Sequence, residues 1–241
     1  MPNNSNSQGF FNVCMSLVKG VATFIMDGVK STHKEGYVFI FISIAVTVLS
    51  YWLSSFLGTI FFIVTVWMVY FFRDPIRVVP QREGILVAPA DGQITAVVES
   101  ESLPDELVNK SDKKFTRVSI FLNVFNVHVN RLPVKCSVEE VKYIEGKFLN
   151  ASLDKSSKEN ERNIMLLKTD DGDLLGLTQI AGLIAKRIVS YAKTGDNYKS
   201  GDRYGIIRFG SRVDLYIPNS YNVIVECGQT MIGGETVIAS K

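Results

Sequence analysis

The sequence predicts an α+β protein that is mainly β: a sandwich-like soluble domain carried on an N-terminal helical membrane hairpin. Three observations carry that expectation. A charge-free apolar run extends from Tyr37 to Phe72. Beyond it, short alternating runs rich in Val, Ile, Tyr and Phe recur, broken by Gly, Pro, Asn and Asp. The length of 241 residues leaves room for one ordinary domain plus an anchor, or for two small domains.

Residues 1–36 form the first segment, polar at Met1 to Gly9 and loosely amphipathic from Phe10 to Val29, where an interfacial helix is expected. No cleavable signal pattern is present, because the apolar stretch lies too far into the chain. Residues 37–72 form the second. As one straight helix these 36 residues would run roughly 54 Å, against a hydrocarbon core of about 30 Å. Two spans of about 17 residues fit far better, at roughly 26 Å each. Small and polar residues for a turn gather at Ser50, Ser54, Ser55 and Gly58. Lys30 and Lys34 stand before the run and Arg73 and Arg77 after it. The positive-inside rule therefore puts both ends in the cytoplasm.

Residues 73–241 form the third segment, a compact and mainly β cytoplasmic domain. Strands are expected at Gln93–Glu99, Arg117–Asn123, Val134–Tyr143, Asn163–Lys168, Arg203–Phe209, Val213–Ile217 and Thr236–Ala239. Turns are expected at Asp91-Gly92, Asp171-Gly172 and Gly233-Gly234. Asn150 to Arg162, dense in Ser, Lys and Glu, reads as a mobile loop. No internal repeat points to a solenoid.

Composition narrows the chemistry. With 26 basic and 24 acidic residues the formal charge is +2, too weak a bias to argue for nucleic acid. Cys14, Cys136 and Cys227 are scattered and lack CxxC spacing, so reduced thiols and no metal site are expected. His33 and His128 are the only histidines, which leaves few candidates for imidazole chemistry.

Four features could carry a site. Asp91-Gly92 reads first as a turn between strands, although an aspartate there could also orient an imidazole. His128 lies among Val and Phe, as a core histidine would, but Asn126, Asn130 and Arg131 interrupt the apolar alternation around it. Polar groups in a buried run must find partners or cost stability. Gly210-Ser211 sits inside Arg203–Pro218. A serine hydroxyl can turn onto the preceding carbonyl for an N-to-O acyl shift, and glycine tolerates strained angles and leaves that carbonyl unshielded. Lys186-Arg187 is a basic pair in an apolar stretch, either a strand with solvated tips or a contact for lipid phosphate.

Together, Ala88 to Gly92, Phe121 to Pro133, Gly182 to Val189, Arg208 to Pro218 and Gly233 to Ala239 resemble the phosphatidylserine decarboxylase family in its short bacterial form. The resemblance spans roughly residues 70–240, and the apolar hairpin sits where family members carry their anchor. It implies a proenzyme that converts phosphatidylserine to phosphatidylethanolamine and carbon dioxide at the inner face of the cytoplasmic membrane. Ser211 would attack the Gly210 carbonyl to form an ester. Elimination would then leave a dehydroalanine that hydrolyses, with loss of ammonia, to a pyruvoyl group on residue 211. The cleaved chains 1–210 and 211–241 would stay partners. The ketone would take up the electrons that carbon dioxide leaves behind, a role no ordinary side chain fills, so neither metal nor exchangeable cofactor is implied.

By the same resemblance, Asp91 and His128 join Ser211 in self-cleavage, His128 as base and Asp91 holding its tautomer. Long-form members carry His-x-x-His here, whereas the second position in this chain is Arg131. Arginine cannot act as a base, which leaves it for the carboxylate or phosphate of the substrate. Two other readings stay open. One is a pyruvoyl decarboxylase of an amino acid or another serine lipid, although a free amino acid gives no reason for the hairpin. The other is a membrane-tethered β-sandwich binding module without catalysis, which gives no reason for Ser211. The sequence is silent on homo-oligomerisation.

Overall fold

The computed structural model describes residues 31–107, 111, 113–146, 159–182, 187–209 and 211–241. These divide into two compact units, with the boundary between Pro75 and Ile76. Gly210 and Lys186 lie outside the described residues, as do Cys14, Lys30, the expected interfacial helix and most of the expected mobile loop.

The first unit is a helical hairpin. A 3-10 turn at Lys34–Gly36 leads into α1 (Tyr37–Leu53), and α2 (Ser55–Phe71) returns. The helices break at Ser54 alone, whose extended backbone (φ −163°, ψ 134°) stops the i→i−4 ladder. Small and hydroxyl residues then let the helices approach. Thr47 Oγ1 and Thr65 Oγ1 lie 2.9 Å apart. A Cβ on Gly58 would fall 2.3 Å from Tyr51 Cγ, so only glycine fits against that ring. At the open end His33 N donates to Phe72 O at 2.8 Å and Asp74 N to Ser31 O at 2.6 Å, so both ends of the run meet. Outward, the surface is apolar, with Val38, Phe41, Leu49, Ile63 and the tip residues Trp52 and Leu53 exposed. In water that surface would be costly, and its composition fits membrane association.

The second unit is built on one large antiparallel sheet. Its strands in spatial order are β13 (Thr230–Met231), β2 (Gly92–Glu101), β3 (Phe115–Leu122), β11 (Ser211–Pro218), β7 (Leu174–Ala181), β6 (Arg162–Thr169), β5 (Cys136–Ile144) and β9 (Asn197–Tyr198). Two three-stranded sheets complete the unit. One orders β4 (Val129–Arg131), β10 (Arg203–Arg208) and β8 (Arg187–Ser190), and the other β1 (Ile85–Val87), β14 (Val237–Ser240) and β12 (Asn222–Val223). Period-two alternation divides the faces of the large sheet. Val213, Leu215, Ile217, Met165 and Leu167 join Ile207, Ile188 and Ile238 of the small sheets in the main core. Tyr216, Ile164 and Leu166 turn the other way and pack under Leu103 and Leu107 in a second, smaller core. The body is therefore sandwich-like and mainly β, as the residue pattern predicts.

The end of the expected mobile loop is firmly built. Asn160 and Glu161 are buried, and Asn160 Nδ2 donates to Ala181 O at 2.8 Å. Glu161 Oε1 accepts from Tyr143 Oη at 2.5 Å and from Ile188 N at 3.0 Å, tying β5 to β8.

Candidate active site

Two chain crossings between sheets define the site. Leaving the small sheet, β10 enters the large one as β11 through Phe209 and residue 210. In the opposite direction β3 leaves the large sheet and becomes β4 through residues 123–128. The crossings run side by side, because their flanking strands are paired at both ends. Ser211 is registered with Leu122 in one sheet, and Ile206 with Val129 in the other. The segment that leads to His128 therefore runs beside the facing ends of β10 and β11. Ile207 N donates to His128 O at 3.3 Å, three residues before residue 210. Phe209 has a φ of 65°. A left-handed conformation costs a residue with a side chain roughly 1–2 kcal/mol, and that strain falls next to the link expected to break.

His128 is fully buried. Its Nδ1 lies 3.0 Å from the Asn126 carbonyl oxygen, an acceptor that holds the proton on Nδ1 and leaves Nε2 as the basic nitrogen. Two turns secure this loop, since Asn126 Oδ1 accepts from Asn123 N at 2.9 Å and Asn123 Oδ1 from Phe125 N at 2.8 Å. The asparagines that break the apolar alternation in the sequence thus include the residue that aims the imidazole.

Asp91 occupies the same end of the large sheet. Gln93 pairs with Phe121, so Gly92 stands level with Leu122 and, one strand further, with Ser211. Only glycine allows the approach: a Cβ on Gly92 would lie 2.2 Å from Phe121 O. Arg77 Nη2 donates to both oxygens of Asp91, at 2.9 and 2.7 Å, and Gly233 N donates to Oδ1 at 2.8 Å. Arg77 reads in the sequence only as a positive flank of the apolar run; nothing in a linear reading links it to Asp91. Gly233 and Gly234 form the other wall. A Cβ on Gly234, whose φ is +82°, would lie 3.0 Å from Arg131 Cδ and 3.7 Å from Arg77 Cβ.

Arg131 is buried. Its Nη1 donates to Gly201 O at 3.0 Å, and its backbone N donates to Pro89 O at 2.8 Å. It therefore stands against the Asp91 segment, with part of its guanidinium engaged by the fold. Arg187 is exposed at the start of β8 and registered with Arg208, two residues before Gly210. These two positions bring cationic side chains to one stretch of strand near the Ser211 crossing. On the other face of β11, Asp214 is fully buried and binds Arg212 through Nε at 2.6 Å and Nη2 at 2.8 Å. Burial pulls the Arg117 guanidinium down, but Asp214 and Glu101 more than offset it and hold it above its ordinary value.

Comparison with known proteins decides the family. The profile described as phosphatidylserine decarboxylase matches residues 64–239. The chain belongs to the phosphatidylserine decarboxylase family. A phosphatidylserine decarboxylase proenzyme of Ruegeria pomeroyi is 49% identical over 210 residues, which cover 87% of this chain and 95% of the relative. Proteins of the same name from Rickettsia akari and Rickettsia felis are each 50% identical over 216 residues, covering 88% of this chain and 91% of theirs. The family's proenzyme name implies a pyruvoyl group, and the position of Ser211 fits one. Such a group is made from the residue's own atoms, so it needs no separate cavity. The segment at the start of β4 is also polar where a core would be apolar, since His128 and Asn130 are fully buried and Asn130 Nδ2 lacks a hydrogen-bond partner.

Proposed function

We propose that this chain is a membrane-anchored proenzyme that cuts itself between Gly210 and Ser211 and then decarboxylates phosphatidylserine to phosphatidylethanolamine. The observation that carries the reading is the paired crossing, in which the segment of buried His128 runs beside the strands that flank residue 210, in a chain of this family. Residues 73–241 form the catalytic domain and residues 37–72 the anchor, with basic flanks placing the domain on the cytoplasmic face.

Ser211 Oγ attacks the Gly210 carbonyl carbon, and Nε2 of His128 accepts the hydroxyl proton. Asp91, clamped by Arg77 and Gly233 on the same sheet end, is the acidic member of the constellation, while the Asn126 carbonyl makes the contact at Nδ1 that holds the tautomer. Elimination from the ester and hydrolysis, with loss of ammonia, leave the new group at residue 211. A pyruvoyl ketone supplies the electrophilic sink that decarboxylation requires. Arg131 and Arg187, with Lys186 beside it in sequence, hold the carboxylate and phosphate of the lipid. The apolar hairpin favours a lipid over a free amino acid as substrate.

Intact mass of the purified protein beside a Ser211→Ala variant tests the reading. It expects chains of residues 1–210 and 211–241, the shorter one lacking an α-amine and reactive as a ketone, and a single chain from the variant. A wild type that stays uncut after long incubation would end it.

A further inference from the structure

Three side-chain amides form a directed chain through the interior of the second unit, and the mechanism above does not use it. Asn163 Nδ2 (β6) donates to Gln179 Oε1 (β7) at 3.1 Å. Gln179 Nε2 in turn donates to Asn130 Oδ1 (β4) at 2.8 Å. All three residues are buried, with exposures of 1%, 0% and 0%. Each link fixes which end of the next amide is oxygen and which nitrogen, and successive links polarise one another. The chain ends on Asn130 Nδ2, a buried donor with no partner. Leaving such a group unsatisfied forfeits the solvation that it had in water, so an acceptor is expected there when the protein works.

The location says which acceptor. Asn130 is two residues from His128 and registered with Gly205 on β10. Gln179 is registered with Val213, and Ala181, two residues further on, with Ser211. Two strand residues span about 7 Å, so the amide pair lies one strand repeat from the Ser211 backbone. Gly205 keeps the space open, because a Cβ there would fall 3.2 Å from Gln179 Nε2 and 2.4 Å from Val189 O.

We propose that Asn130 donates a hydrogen bond to an oxygen that carries negative charge at the Ser211 centre, and that Gln179 and Asn163 hold it in that orientation. This rests on the self-cleaving reading above. Two oxygens share that chemistry: the Gly210 carbonyl oxygen during the acyl shift, and a carboxylate oxygen of the bound substrate during turnover.

Asn130→Asp tests it with almost no change of shape. The variant keeps an oxygen for Gln179 Nε2 but puts a carboxylate oxygen where the donor was. Gln179→Glu tests the orientation from outside the site: it presents oxygen to Asn130, which must flip and turn its own oxygen to the centre. In full-length protein, cleavage is followed by mass and the released carbon dioxide gives kcat and KM. Both variants are expected to lose about 10²-fold or more in one step, with thermal unfolding midpoints close to wild type. Loss of cleavage identifies the Gly210 oxygen; normal cleavage with a fallen kcat identifies the substrate carboxylate. If Asn130→Asp does not fold, Gln179→Glu decides alone. Cleavage and turnover within about threefold of wild type in both variants would overturn the inference. A wild type that never cleaves would instead overturn the reading beneath it.

Discussion

Replacing Asp214 by alanine would remove the carboxylate that lies between two buried arginines three residues after Ser211. Asp214 has no solvent exposure, Arg212 retains 2% and Arg117 6%. Its oxygens take Arg212 Nε and Nη2 at 2.6 and 2.8 Å, and Arg117 Nη1 stands 3.8 Å away. Breaking a buried pair by deleting one partner costs about 3–5 kcal/mol. For a folded unit of this size each kcal/mol moves the midpoint by roughly 2–4 °C, so a drop of about 6–20 °C is expected. The Ser211→Ala background, uncut by design, gives a single species for thermal unfolding in detergent. Removing both charges in Arg212→Met/Asp214→Leu should recover at least half of the loss, because Arg117 keeps Glu101 and Ser119. Raised salt should change little, since buried pairs are weakly screened. A drop under about 3 °C, or a double variant no better than the single one, would refute the reasoning.

Gly92→Ala places a Cβ 2.2 Å from Phe121 O and should cost about 3 kcal/mol or more, with slowed cleavage; an unchanged melting curve would count against the tight β2–β3 approach. Burial pushes the Cys136 thiol up to about 12, with Asp170 and Asp202 adding to it. Because the folded thiol keeps its proton to higher pH than the unfolded one, its contribution is complete below about pH 8.5 and lost as pH rises towards 12. Urea titrations across that window should therefore show falling stability, with a shallower fall in Cys136→Ala. Iodoacetamide at pH 8 should label exposed Cys227 and spare buried Cys136, as peptide mapping will report. In a background with the native cysteines replaced by serine, Thr47→Cys/Thr65→Cys should cross-link on oxidation, because the hydroxyls lie 2.9 Å apart. Thr47→Cys with cysteine at outward-facing Ile63 should not.

The strands legible in the sequence are those with one wet face. In β2 and β5 the alternation survives, because outward positions such as Gln93, Thr95 and Glu139 meet solvent. The strand β7 escapes that reading. Its eight residues are Leu174 to Ala181, all but the first buried, because it lies between β11 and β6 with both faces covered. Of the site, the sequence marks Gly210-Ser211, His128 and Asp91 through their motifs. It cannot show Arg77 as the partner of Asp91, since that ion pair comes from folding the chain after the apolar run onto the start of β2. Glu161 is hidden for a similar reason: inside a polar, lysine-rich stretch a buried carboxylate looks like a solvated one until Tyr143 and Ile188 are seen around it.

Cutting at residue 210 should not release the C-terminal piece, and the topology says why. Residues 211–241 are no appendage. They contribute β11, which pairs with β3 from Ser211 to Pro218 and with β7 from Ser211 to Tyr216, in the middle of the large sheet. They also supply β14, which joins β1 to β12, and β13, which edges β2. Val213, Leu215, Ile217 and Ile238 are fully buried in the main core. At roughly 1.5–3 kcal/mol each, these four side chains alone hold the piece by about 6–12 kcal/mol. The ladder hydrogen bonds add to this, so expelling the piece means unfolding the domain. A cut at this link would therefore leave the strands in register, with residue 211 still paired to Leu122 and Ala181. The two chains should co-purify through 1 M salt, a condition that screens charges over roughly 3 Å but does not weaken apolar burial, and separate only in denaturant. Loss of the short chain in salt alone would show that β11 is not the central strand on which this mechanism depends.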